Sequence, residues 1–196
     1  MKKILVALLL SAILLLACGC GEVGYEQLQQ MASQSYGFVG IDGAVRIDNK
    51  DYKFSVIVSS DGDMQEIDYS YEQRATFDEV DGEIVAPDNF IVTKTGKITK
   101  NGDKIVDQNG ESLDGSQAAI VAFGFLFQES LFTDATFGSS SFTASVTNPA
   151  AFVGSNDFAG TDMKVQVTFA DNAFKTMNLQ YSLTNATVNA TYTFVK

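Results

Sequence analysis

From Phe38 onward, apolar side chains recur at every second position over several stretches. Phe54, Val56 and Val58 alternate with Ser55 and Ser59, and Ile67, Tyr69 and Tyr71 alternate with Asp68 and Ser70. Towards the end, Val165, Val167 and Phe169 form one such run, Met177, Leu179, Tyr181 and Leu183 a second, and Val188, Ala190, Tyr192 and Phe194 a third. A period of two sends successive side chains to opposite faces, so each run predicts a strand with one apolar face. Phe90–Thr95 is a further β-rich stretch. The pairs Asp42-Gly43, Asp48-Asn49, Asp61-Gly62, Asp81-Gly82 and Asp171-Asn172 are of the type that turns a chain. Residues 98–105 read as a hairpin centred on Asn101-Gly102, with both central residues at positive φ.

Two segments carry helical spacing instead. Tyr25, Leu28, Met31 and Ala32 share one face of a helix over Tyr25–Ser35. Gln117–Phe132 is apolar on nearly every side, which predicts a helix buried all round, with Asp114 or Ser116 as its N-cap. The Ser-, Asn- and Gly-rich stretch 138–160 is expected to be a loop. The predicted fold is α+β: a curved antiparallel sheet or incomplete β-barrel with an N-terminal helix and one buried apolar helix.

The N-terminus has a different design. Lys2 and Lys3 precede an apolar run from Ile4 to Leu16, followed by Leu15-Leu16-Ala17-Cys18. The run falls within the length of about 7–15 residues usual for a signal sequence and short of the roughly 20 needed to cross a bilayer. Leu-x-Ala-Cys resembles the lipobox of bacterial prolipoproteins. That resemblance implies transfer of a diacylglyceryl group, with fatty chains such as palmitate, to the Cys18 thiol, then cleavage before Cys18 and attachment to a membrane. Cys20 is a second, poorer candidate, and an uncleaved membrane anchor is the competing reading. The expected organisation is a signal peptide over 1–17, a lipidated tether over 18–24 and one domain over 25–196. The expected location is the extracytoplasmic face of the cell membrane or outer membrane.

Charge and residue content narrow the function. The chain has 24 acidic and 13 basic residues, a net charge of −11. A surface so acidic repels phosphate backbones, and no nucleic-acid partner is expected. Both cysteines lie near the anchor, so the domain is expected to fold without an internal disulfide. With no histidine, a Ser-His-Asp arrangement is impossible and the commonest metal ligand is missing. No phosphate-binding glycine loop is present. The acidic stretches Asp61-Gly62-Asp63 and Asp78–Glu83 lack the spacing of a calcium loop and read as solvated turns. The expectation is a protein that is not an enzyme, with no metal and no cofactor.

Helix, strand meander, apolar helix and a three-strand ending over Met163–Val195 together resemble the lipoprotein-carrier group of lipid-binding lipoproteins. In that group an incomplete barrel encloses a cavity for acyl chains. The resemblance implies an apolar ligand between sheet and helix but carries no site residues with it; the surplus apolar faces of the expected helix point to Ile120, Phe123, Phe127 and Leu131 as the cavity lining. Two function classes follow. One is a lipid-anchored binding protein for a lipid or other apolar small molecule. The other is a surface interaction or structural lipoprotein with a filled core, its protein partners unknown. An internal cavity favours the first and a filled core the second.

Overall fold

A computed structural model describes residues 23–61, 64–75, 78–80, 83–85, 91–101, 104–111, 124–156 and 158–196. The expected anchor, including Cys18, therefore lies outside the described residues, as do Ile120 and Phe123.

Helix α1 (Tyr25–Ala32) comes first. Its N-terminus is closed by Gln27, whose side chain accepts the Gly24 N–H at 3.0 Å. Leu28 and Met31 are buried on the face that the spacing predicted. Strands β1 (Phe38–Ile47), β2 (Lys50–Asp61) and β3 (Met64–Arg74) follow as a meander. The short hairpin β4 (Asp78–Val80) and β5 (Glu83–Val85) stands apart as its own two-stranded sheet. Then come β6 (Ile91–Asn101) and β7 (Lys104–Asp107). The second half of the chain supplies β8 (Phe132–Phe137), β9 (Ser141–Val146), helix α2 (Pro149–Val153), β10 (Thr161–Ala170), β11 (Ala173–Leu183) and β12 (Ala186–Val195).

Ten of these strands form one antiparallel sheet in the order β7-β6-β3-β2-β1-β12-β11-β10-β9-β8. Each half of the chain is a local meander, and the two join where β1 pairs with β12, Phe38 opposite Val195 and Arg46 opposite Thr187. One face carries the predicted apolar rows. Ile41, Tyr192, Met177, Val167 and Phe142 are successive register partners across five strands. We call this the inner face; α1 packs over its second half, against β11.

Two of the predicted turns form as expected. Asp48-Asn49 and Asp171-Asn172 each hold two consecutive residues at positive φ, 49° and 62°, then 55° and 54°. That is the backbone of a type I′ hairpin, whose twist matches the flanking strands. Asp61 ends β2 and pairs with Met64, while Gly62 of the next expected turn lies outside the described residues. Two expectations are shifted. Asn101 belongs to β6 and pairs with Lys104, and Gly102, the other expected centre of that hairpin, lies outside the described residues. Asp42-Gly43 lies in the middle of β1. Gly43 is there because a Cβ would collide with the Asn189 carbonyl of β12 and the ring of Phe54 opposite.

The largest correction concerns the helix expected over 117–132. Gly124–Gln128 has no regular structure, Glu129–Leu131 is a single 3-10 turn and Phe132 opens β8. The rest of that expected helix lies outside the described residues. The described part is extended because its backbone is held from two sides. The Phe127 N–H donates to Gln29 Oε1 of α1 at 2.7 Å, and the Leu126 N–H donates to the Phe152 carbonyl at 2.8 Å. Extended backbone alternates its side chains, so Phe125 and Phe127 both reach the core.

The stretch expected as a loop contains β9 and α2. In β9, Phe142, Ala144 and Val146 are buried while Ser141, Thr143 and Ser145 take the other face. Helix α2 is capped by Asn148, whose side chain accepts the Ala151 N–H at 3.1 Å. It starts on Pro149 and stops at Gly154 in the left-handed conformation.

Candidate functional site

Two of the side chains expected to line a cavity are visible, and both belong to a packed core. Phe127 is 2% exposed, and its ring lies 5.5 to 6.0 Å from those of Phe132, Phe142, Phe152 and Phe174. Leu131 is buried in the same cluster. Tyr25 of α1 stacks on Phe132 at 5.6 Å and meets Phe137 edge-on at 5.1 Å. The Tyr36 hydroxyl closes the helix against the sheet, donating to the Met31 carbonyl at 3.0 Å and accepting the Phe174 N–H at 2.9 Å. Edge-on and offset rings at these separations are favourable contacts, so the site is occupied by the protein's own side chains.

The first half of the sheet is built differently. Its inner face has a buried centre, where Val58, Ile67 and Ile98 are register partners across three strands. Towards the β1–β2 turn the same face opens into a trough of about 450 Å³. Val45, Ile47, Tyr52, Phe54 and Tyr71 line it, with Asp48, Lys50, Lys53, Glu72 and Arg74 as its charges. Tyr71 is 41% exposed, and its ring stacks beside that of Tyr69 at 6.2 Å. Lys50 places its ammonium 6.0 Å from the centre of the Tyr52 ring, within cation–π range. The volume lies within the range of about 300–1,000 Å³ typical of small-molecule sites.

Sequence reasoning placed Phe54, Tyr69 and Tyr71 on one strand face without reading that face as a site. The legible signal was that Tyr52 and Phe54, and again Tyr69 and Tyr71, are aromatic pairs two positions apart on neighbouring strands. Such pairs build a continuous aromatic surface.

A second depression, of about 790 Å³, lies on the other face of the second half. Amides and hydroxyls dominate its lining, among them Thr143, Gln166, Asn178, Gln180, Asn189 and Thr191, with Asp42, Asp134 and Lys164 as its charges. The Thr191 hydroxyl donates to Asn178 Oδ1 across the strands at 2.8 Å, so part of this surface satisfies itself.

Burial raises the hydroxyl pKa of Tyr36, Tyr181 and Tyr192, most strongly at Tyr192, where the nearby Tyr181 adds to the effect. None of the three lines the aromatic trough. Among the described residues, no three histidine, cysteine, aspartate or glutamate side chains gather into a metal site. No described helix is long and apolar enough to cross a membrane. No protein-family model matches the chain, and no curated protein matches its sequence.

Proposed function

We propose that the protein is a lipid-anchored, extracytoplasmic binding protein that takes an apolar or amphiphilic small molecule on the inner face of β1, β2 and β3. The observation that carries this reading is the half-open aromatic trough of Tyr52, Phe54 and Tyr71. A large aromatic surface left open to water is unfavourable unless something occupies it, and apolar burial there contributes about 25 cal/mol for each Å² covered. The anchor part of the proposal rests on Leu15–Cys18.

A second reading, a surface interaction or structural lipoprotein with no small-molecule ligand, draws on the filled core around Phe127. One preparation separates the two. Protein spanning residues 22–196 is purified from cells, extracted with organic solvent and examined by mass spectrometry. The binding reading expects co-purified lipid, and a rise in melting temperature when a fatty acid is added to stripped protein. An empty extract with no thermal shift supports the structural reading instead. Metabolic labelling with a radioactive fatty acid is expected to mark the full chain and miss Cys18→Ala; equal label on both sinks the anchor assignment.

A further inference from the structure

Charge is segregated across the first half of the sheet in a way that identifies the sign of the ligand. Strands β1, β2, β3 and β6 contain six carboxylates: Asp42, Asp51, Asp61, Glu66, Asp68 and Glu72. By register all six lie on the outer face, opposite residues such as Ser55, Arg46, Ser59 and Thr93. The inner face of these four strands has none. It does have three lysines. Lys50 pairs with Ile47, Lys94 with Tyr71 and Lys100 with Gln65, all on the aromatic side.

Arg46 and Lys97 on the outer face are paired, with Asp51 at 2.7 Å and Glu66 at 3.0 Å. Among the described residues, neither Lys50 nor Lys94 has a carboxylate within 4.0 Å. At the trough rim Asp48 sits in the β1–β2 turn, and Glu72 is engaged by the Lys53 backbone N–H at 2.8 Å. In a chain of net charge −11, an aromatic strand face that bears three lysines and no carboxylate favours one kind of guest. A field of the opposite sign concentrates an anion there, and apolar walls strengthen the attraction by excluding water.

Resting on the binding function proposed above, we infer that the trough takes a single anionic single-chain amphiphile. Its chain lies on Tyr52, Phe54 and Tyr71, and its acid group meets Lys50 and Lys94. The trough's 450 Å³ sits near the low end of the small-molecule range, which suits one acyl chain rather than two.

The test uses the full chain in isolated membranes. A long-chain fatty acid carrying a photoactivatable group is added, and its methyl ester serves as the uncharged control. After irradiation and digestion, adducts are counted on peptides that contain Tyr52–Phe54 or Tyr69–Tyr71. Wild type is expected to take up both probes, the acid more heavily. In Lys50→Gln/Lys94→Gln, labelling by the acid should fall about tenfold, the scale of a lost hydrogen bond to a charged group, with ester labelling unchanged. Lys97→Gln on the outer face, which does not line the trough, should leave both unchanged. Equal use of acid and ester by wild type and the inner-face variant overturns the anion assignment and leaves the binding function standing. Wild type labelled by neither probe at these peptides overturns both.

Discussion

Asn172 sits at φ 54° in the β10–β11 turn, and its carbonyl accepts the Gln34 side-chain amide at 2.7 Å. One residue thus turns a hairpin and ties down the exit of α1. Left-handed backbone costs a β-branched residue roughly 1–2 kcal/mol, whereas asparagine and glycine tolerate it. Asn172→Val is therefore expected to lower stability by about 1–2 kcal/mol, and Asn172→Gly by less than half of that. Urea unfolding of the two variants checks it, and equal midpoints count against the assigned turn. At this scale much was legible. Asp48-Asn49 and Asp171-Asn172 announced their turns because few residues accept positive φ. The fate of Phe125 and Phe127 was hidden, because hydrogen bonds to the Gln29 side-chain carbonyl and to the Phe152 carbonyl fix the backbone there. Gln29 and Phe152 are remote in sequence, and local spacing carries no trace of them.

Among the elements, β1 carries the most, since it alone joins the two halves of the sheet. Gly43 lets it do so: Phe54 lays its ring over the bare Cα from one side while β12 closes from the other. A glycine covered by a cross-strand ring is a known stabilising device in sheets. Gly43→Val forces Cβ into both neighbours, with backbone on one side unable to yield. A loss of about 1–3 kcal/mol is expected from overpacking, read as a drop in melting temperature. A midpoint equal to wild type means that the seam is looser than its geometry shows. Strand periodicity was legible wherever large apolar residues mark the buried face, as in β10, β11 and β12. It was obscured in β9, where Ser141, Thr143 and Ser145 around Phe142 imitate a loop composition. Helix α2 was equally hidden by its brevity, although Asn148-Pro149 and Gly154 are its proper start and stop.

For the whole molecule, alkaline pH probes the second-half core. Tyr192 has its pKa raised above the ordinary 10.0, as have Tyr181 and Tyr36 more weakly. Because the folded values lie above the unfolded ones, the folded state is fully favoured below pH 10. As pH rises past that point the unfolded chain releases protons first, and stability falls by about 1.4 kcal/mol per pH unit for each tyrosine still held neutral. Urea midpoints measured from about pH 9 to pH 11 should therefore decline, and Tyr192→Phe should make the decline shallower. A flat profile is incompatible with the burial described. The candidate trough itself was written in the sequence only as alternation. That the carboxylates take one face and Tyr52, Phe54 and Tyr71 the other needs strand register, which no short stretch of sequence supplies. The pairing of β1 with β12 also sets an order of events in time. Each meander can form as its hairpins are made, but β1 must wait until β12, at Ala186–Val195, has been made before its second partner exists. Contacts this distant in sequence make folding slow, in the millisecond-to-second class of sheet proteins. Until that final strand arrives, the two meanders exist only as separate pieces, and a ribosome-bound or prematurely ended chain stays without the seam that makes them one sheet.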